Sequence, residues 1–457
     1  MTAVEQALTE VVGAPNISTG SAVADDYAHD ECLTVPGCLP AVVVRPTSTA
    51  EVADVVRAGL DFGVPLTARG SGTGLSGACA PVEGGVVVSF ERMDAILEID
   101  LANHVAVVQP GVTLQQLDEA LAPHGLVYPV FPGEQSASLG GNVGTNAGGM
   151  RAVRHGVTRH HVLGLEAVLG SGEVIRTGGR FVKATAGYDL TQLLIGSEGT
   201  LALVTEATLR LQPRAEHAVT LLAPFATMEA VAAAVPPIVA SGLAPLMVEY
   251  LDLLTMGGIT ASAGMELGIP DEVRQQALAY LVIVLDNHRA DRLAEDAEAL
   301  GTLVDGLGAL DVYVLPPTTG AQLIEARERA FWTAKAAGAD DIIDVVVPRA
   351  SIPDYLTEVA AMAAESGSLV VGCGHVGDGN VHLSVFQADP PARHRLVAEV
   401  IAAGVHRGGA VSGEHGIGRA KKEYLAATED PVKLTLMRQI KSVFDPAGIL
   451  NPGAIFD

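Results

Sequence analysis

The sequence predicts an α+β protein of two domains, and three observations carry that prediction. The chain has 457 residues, more than one hydrophobic core usually organises. Its first part sets short β-like runs between glycine-rich tracts; from about residue 215, strand-like runs alternate with alanine-rich helical patterns. At 49% hydrophobic and 18% charged, it has the composition of a packed chain and not of a disordered one. The expected layout is a first domain at 1–214, a second at 215–440 with a mostly antiparallel sheet covered by helices, and a tail at 441–457 that returns to the first.

A formal charge of −25 argues against nucleic acid or an anionic membrane surface as partner. Cys32, Cys38, Cys79 and Cys373 show no CxxC spacing, which fits a reduced, cytoplasmic protein. The start, MTAVEQALTEVVG, carries two glutamates and no basic segment, so it does not read as a signal peptide. The longest apolar run, residues 231–248, is broken by Pro236, Pro237, Gly242 and Pro245. It reads as a buried helix and a loop, not a membrane span.

In chain order, residues 1–40 read as a short helix and irregular segments. A strand at 41–45 (AVVVR) leads to a helix at 50–62 with Val52, Val55, Val56 and Leu60 on one face, stopped by Gly63. A strand at 64–68 opens into RGSGTGLSG at 69–77, a literal GxGxxG. Glu91 and Asp94 even stand where a Rossmann ribose ligand would. But that fingerprint needs a helix directly after the glycines, and APVEGG at 80–85 admits none. The loop reads better as a nest of backbone N–H groups able to wrap a pyrophosphate. Strands at 85–90 and 104–108 flank a connection at 95–100, and an amphipathic helix at 113–124 follows, with Leu114, Leu117 and Leu121 on its face. The next tract, residues 132–149, holds six glycines and the small polar residues Ser136, Ser138, Asn142, Thr145 and Asn146. Such a tract suits close approach to a large phosphorylated ligand. A hairpin-like region at 162–176 precedes a third tract, GSEGTLALVTE at 196–206.

In the second part, strands are expected at 218–222, 247–251, 281–285, 311–315, 342–347, 368–376 and 381–386. Helices are expected at 228–239, 290–307, 320–337, 353–365 and 391–406. In the helix at 320–337, Arg327 shares a face with Leu323, Ala330, Phe331 and Ala334, while Arg329 falls with Gln322, Glu325 and Trp332. An arginine on the apolar side needs an anion, either a substrate carboxylate held bidentately or a structural acidic partner. The stretch GCGHVGDGNVHL at 372–383 reads as a hairpin around Gly377, Asp378, Gly379 and Asn380. With Val376 opposite Val381, His375 faces His382 at a Cβ separation of roughly 5 Å, close enough to share a metal ion. Glu414 and His415, in SGEHGIG at 412–418, add a carboxylate ligand and leave one imidazole as a base.

GHVGDGNVH, SGEHGIG, GSEGTLALVTE and DPAGILNPG stand in one order. Together they resemble the vanillyl-alcohol oxidase/PCMH-type flavoproteins, and among them the FAD-linked D-2-hydroxyacid dehydrogenases: D-lactate dehydrogenase, D-2-hydroxyglutarate dehydrogenase and the flavin-carrying chain of glycolate oxidase. The resemblance runs from about Pro36 to Pro452. It implies a PCMH-type FAD-binding domain of two α/β subdomains plus an α+β cap, and noncovalent FAD, since Ser71, Gly72 and Thr73 offer no histidine for attachment. By resemblance the flavin contacts Arg69, Gly70, Ser71, Gly72, Thr73, Gly74, Leu75 and Ser76 in the first tract. In the second it contacts Pro132, Gly133, Ser138, Leu139, Gly140, Gly141, Asn142, Thr145, Asn146, Gly148 and Gly149. Gly196, Glu198, Gly199, Val204 and Asn451 complete that set. His375, His382 and Glu414 then hold a divalent metal, zinc or manganese.

The chemistry this implies is oxidation of a 2-hydroxy acid. The metal is a Lewis acid for the 2-hydroxyl, His415 is the general base, Arg327 binds the carboxylate, and Asn380 touches the substrate. Relatives that act on D-2-hydroxyglutarate carry a lysine fifteen residues after that arginine; here the position is Ile342. A monocarboxylate such as D-lactate, or a larger apolar 2-hydroxy acid, is therefore expected, with D-2-hydroxyglutarate or glycolate as the alternative. Ala454 stands where many relatives have a lysine. Competing readings are a sugar or alcohol oxidase, a flavoprotein serving an iron–sulfur partner within a larger complex, and a non-redox flavin synthase. The electron acceptor is left open among a quinone, a cytochrome, an electron-transfer flavoprotein and an iron–sulfur protein. A homodimer, cytoplasmic or peripheral at the membrane, is expected.

Overall fold

A computed structural model describes residues 2–456. The chain begins with the helix Ala3–Val12, fastened by a capping box between Thr2 and Glu5. A four-stranded sheet follows in the order Ile17–Thr19, Val42–Val44, Val86–Ser89, Leu66–Arg69. Val86–Ser89 lies parallel to both of its neighbours. The helix Thr49–Phe62, capped by Ser48 and ended by Gly63 at φ 61°, joins the two strands that flank it, Val42–Val44 and Leu66–Arg69, and lets them run in the same direction. Late in the chain, Leu66 and Asn451 tie strand and tail together: Leu66 N–H donates to Ile449, and Asn451 N–H donates to Leu66. Ile449 and Leu450 are buried among Val86, Val88 and Val52.

A second, five-stranded antiparallel sheet has the order Ile96–Asp100, Val105–Val108, Ala202–Arg210, Val162–Leu169, Val174–Gly178. Residues 95–100, expected as a connection, are therefore an edge strand. The register slips between Ile96 and Glu98, and Leu97 stands 47% exposed. A bulged, half-solvated edge carries no continuous apolar run.

The third sheet is antiparallel throughout. Its order is Tyr313–Val314, His217–Phe225, Ala279–Asn287, Met247–Asp252, Leu369–Gly374, Asn380–Phe386, Asp341–Val346. Helices Met228–Ala240, Ala290–Gly306, Ile352–Glu365 and Pro390–His406 cover one face in a single buried cluster. Helices Leu253–Ala263 and Pro317–Glu328 pack on the other with Leu222, Leu251 and Cys373. The predicted α+β class and antiparallel, helix-covered sheet are thus what the chain forms. The single helix expected at 320–337 is instead two, Pro317–Glu328 and Ala330–Ala336, meeting at Arg329 with ψ 8°. Its N–H bonds three residues back, to Ala326, a tight turn that no glycine or proline announces. No helix among the described residues is long and apolar enough to cross a membrane.

Candidate functional site

The hairpin is real but its register differs from the expected one. His382 pairs with Cys373, not His375, and the strands end at Gly374 and Asn380. The His375 carbonyl accepts from the N–H groups of Asp378, Gly379 and Asn380, closing a five-residue loop. Gly379 makes this loop possible, with φ 99° and a hypothetical Cβ only 2.1 Å from the Val347 carbonyl. The slip is two residues, and a slip of two keeps every side chain on its face. His375 therefore still lies beside His382, with ring centroids 4.9 Å apart.

Glu414 completes the cluster. Its Oε1 lies 3.0 Å from His375 Nε2 and 2.9 Å from His382 Nε2. His382 Nε2 is buried without a hydrogen bond, although the carboxylate is near. Three ligand-type atoms converging in this way suit a divalent cation. Behind His375 stands Glu249, fully buried in the strand Met247–Asp252, with Oε1 2.7 Å from His375 Nδ1 and Oε2 2.9 Å from Arg327 Nη2. Burial works against a charged His375, but the carboxylates of Glu249 and Glu414 outweigh it and hold its pKa well above the usual value in the bare cluster.

Asp344 plays the matching part for the other turn. Its carboxylate accepts from the backbone N–H groups of Gly413, Glu414 and His415 and pairs with Lys421 Nζ at 3.2 Å. Burial opposes that charge, yet Lys421 and the neighbouring histidines keep Asp344 far below the ordinary carboxylate range. His415, stacked on His382 at 5.0 Å, has Nδ1 3.8 Å from Asp344. Burial first, then Lys421 and His382, push it down to about 3 against the pull of Asp344, so its imidazole is neutral at pH 7. Glu249, Asp344 and Lys421 escaped the sequence reading. The available signal was a lone carboxylate inside an apolar strand, in MVEYL and in IIDVVV, where an unpaired charge would be costly.

Glu414 and His415 face two cavities at once. The first is walled by residues 70–76, Pro132, Ser138, Gly140, Gly141, Asn142, Thr145, Glu198, Gly199 and Val204. It thus unites the three glycine-rich tracts. Gly70 touches Ser138 so closely that a Cβ would sit 2.0 Å from its hydroxyl. The second tract is not all loop. Leu139–Thr145 is a short helix capped by Ser138, whose Gly140 lies against Pro110. Cys79, Phe90 and Ser197, not foreseen, also line this cavity.

Arg69, Leu139, Asn146, Gly148, Gly149, Gly196 and Asn451 stand behind the wall, and Gly133 lines the neighbouring cavity. Arg69 donates to the His29 carbonyl. Asn451 donates from Nδ2 to the carbonyls of Ala78 and Glu198. Glu198 in turn accepts from the N–H groups of Ile417 and Gly418; burial raises its pKa to about 7 despite those bonds.

The second cavity, about 480 Å³, is lined by Arg327, His375, His382, Ile342 and a majority of apolar side chains. Arg327 is buried, and its Nε and Nη2 make no hydrogen bond although Glu249 is close. Of the two anions weighed for Arg327, the structural one is present as Glu249, while the side chain also lines the cavity. Arg329 is exposed and paired with Glu325. Asn380 does not line either cavity. It is buried, with Nδ2 donating to the Val345 carbonyl and its side chain packed on Gly413.

Comparison with known proteins agrees with this architecture. The "FAD binding domain" family matches residues 40–178, and "FAD linked oxidases, C-terminal domain" matches 214–455. An uncharacterised FAD-linked oxidoreductase of Mycobacterium tuberculosis is 57% identical over 98% of each chain. A D-lactate dehydrogenase of Anaerostipes hadrus is 36% identical, over 96% of this chain and 94% of its own. In fold, p-cresol methylhydroxylase with substrate bound superposes with a TM-score of 0.82 at 18% identity, over 99% of this chain and 96% of that one. With one family match over more than half its length and relatives alignable nearly end to end, the chain belongs to the FAD-linked oxidases and is a flavin-dependent oxidoreductase of PCMH-type fold.

Proposed function

We propose that the protein is an FAD- and divalent-metal-dependent dehydrogenase that oxidises a D-2-hydroxy monocarboxylic acid to the 2-oxo acid, for which bound flavin would supply the two-electron acceptor. The observation that carries this reading is the position of Glu414 and His415 on the shared wall of two cavities, with Arg327, among the described residues, the one arginine or lysine lining the second. The reading assigns the flavin-binding domain to residues 1–214 with the tail 441–457, and the cap to 215–440.

The residues present fit both groups. The first cavity offers a glycine-lined cradle for a phosphorylated cofactor, and His375, His382 and Glu414 offer two imidazoles and a carboxylate with one buried nitrogen unbonded. When bound, the flavin supplies a two-electron acceptor and the metal a Lewis acid for the substrate hydroxyl. Arg327, held by Glu249 and lining the cavity, binds the substrate carboxylate. His415, with Nδ1 turned to Asp344, takes the hydroxyl proton at Nε2. Glu249 orients His375 and Arg327 together. Ile342 leaves a distal carboxylate without a cation, which disfavours D-2-hydroxyglutarate.

The test is anaerobic mixing of the flavin-loaded protein with a panel of D-2-hydroxy acids, reading flavin absorbance with and without EDTA. Monocarboxylates are expected to bleach the flavin, and thorough metal removal to abolish it. Bleaching by D-2-hydroxyglutarate alone would sink the Ile342 argument. Bleaching that survives metal removal, or His382→Ala, would sink the metal role.

A further inference from the structure

Away from the histidines, the second cavity continues along the sheet, and the register describes its floor in rows. Cys373 and His382 form the row at the head; Val371, Ser384 and Ile342 form the next. Leu369 and Phe386 form the third. All seven line the cavity, because alternate residues of a strand share a face. The intervening Ile343, Val345, Val381, Leu383 and Val385 point into the core on the opposite side. At a rise of roughly 3.3 Å per residue, the second row lies roughly 7 Å and the third roughly 13 Å from the histidine row.

Leu254 and Ile259 from the helix Leu253–Ala263, and Phe331 and Ala334 from Ala330–Ala336, line the same space. Ser384 is the one hydroxyl of the two outer rows, which carry no charged side chain. Leu254 and Leu369 are 58% and 49% exposed, so the cavity also has an apolar rim. A lactate methyl extends about 1.5 Å past C2 and would leave both outer rows against water.

We propose that this strip is a tail subsite, and that the preferred substrate is a D-2-hydroxy acid with an apolar chain of about octanoate length. The proposal rests on the 2-hydroxy acid reading above for its head group, while the tail is assigned by the floor of the sheet. An octanoate chain extends roughly 7–8 Å past C2, as far as the second row, so Ile342 and Val371 are its specificity-determining residues.

Two measurements on the flavin-loaded protein test it. The first compares kcat/KM for D-2-hydroxyoctanoate and D-lactate with an artificial electron acceptor; a preference of about 100-fold or more for the longer acid is expected from burial of its methylenes. The second is calorimetric binding of octanoate, which lacks the reacting hydroxyl, against acetate. Val371→Lys, on the cavity face of the second row, is expected to weaken octanoate binding at least tenfold and to collapse the ratio of the two kcat/KM values, with the thermal melt reporting that the variant is folded. Equal or better turnover of D-lactate, with no octanoate binding, overturns the tail subsite and leaves the dehydrogenase reading intact. If no 2-hydroxy acid is oxidised, the dehydrogenase reading fails. Octanoate binding that is sensitive to Val371→Lys then still supports the subsite, and its absence removes it.

Discussion

Glu249 is the residue on which the head of the proposed site turns, because one buried carboxylate faces both His375, proposed as a metal ligand, and Arg327, proposed to bind the substrate. Partners that orient metal-bound histidines commonly change metal affinity by 10–100-fold when altered. Glu249→Gln is therefore expected to weaken manganese or zinc binding to the protein by about that factor, measured by titration of the metal-free form. It also leaves Arg327 buried without its counter-charge, and breaking a buried pair costs about 3–5 kcal/mol, so a clear drop in Tm accompanies it. An unchanged metal affinity would show that His375 is held by the hairpin alone. Ile342 acts at the same scale. It pairs with Ser384, one row from His382, so Ile342→Lys places an ammonium beside the middle of the cavity. D-2-Hydroxyglutarate turnover is expected to rise at least tenfold relative to the monocarboxylates, since a distal carboxylate then has a partner. A variant with wild-type discrimination would mean that the tail does not pass this strand.

At the level of elements, the hairpin shows what sequence can and cannot specify. Glycine, Asp378 and flanking apolar runs located it, and their alternation chose the buried face. The number of loop residues depended on how the His375 carbonyl gathers three N–H groups, a local bonding choice that alternation does not encode. Because a shift of two preserves the face, the histidine cluster was legible although the pairing was not. Arg327 was legible from helical spacing, whereas the break at Arg329 was not, since its cause is a tight turn without a breaker residue. Glu249 and Asp344 were out of reach for another reason: their partners lie far along the chain, His375 for the one and the Glu414 N–H for the other. Gly379→Ala tests the loop. Its Cβ would strike the Val347 carbonyl in a left-handed conformation, so unfolding is expected at lower urea by more than ~1 kcal/mol, with metal affinity falling alongside.

Across the whole molecule, Glu198 joins parts that the chain separates widely. It lines the first cavity, accepts from Ile417 and Gly418 beside the Glu414–His415 turn, and its carbonyl is held by Asn451 of the tail. Buried, it keeps its proton up to about pH 7, whereas the unfolded chain releases that proton near 4.5. A carboxyl whose folded pKa is raised contributes stability that is fully present below the unfolded value and is lost as pH rises through the folded one. Glu198→Gln removes this titration while keeping the shape, although its amide can accept only one of the two N–H bonds as well as the carboxyl does. The wild type is therefore expected to have its largest Tm advantage over Glu198→Gln below about pH 4.5, and to lose that advantage progressively between about pH 4.5 and pH 7. A difference in Tm that stays constant over this range would show that Glu198 is already ionised in the folded protein. In that case the two N–H groups would be holding a carboxylate, and the link between the cavity and the Glu414–His415 turn would be ionic in character throughout.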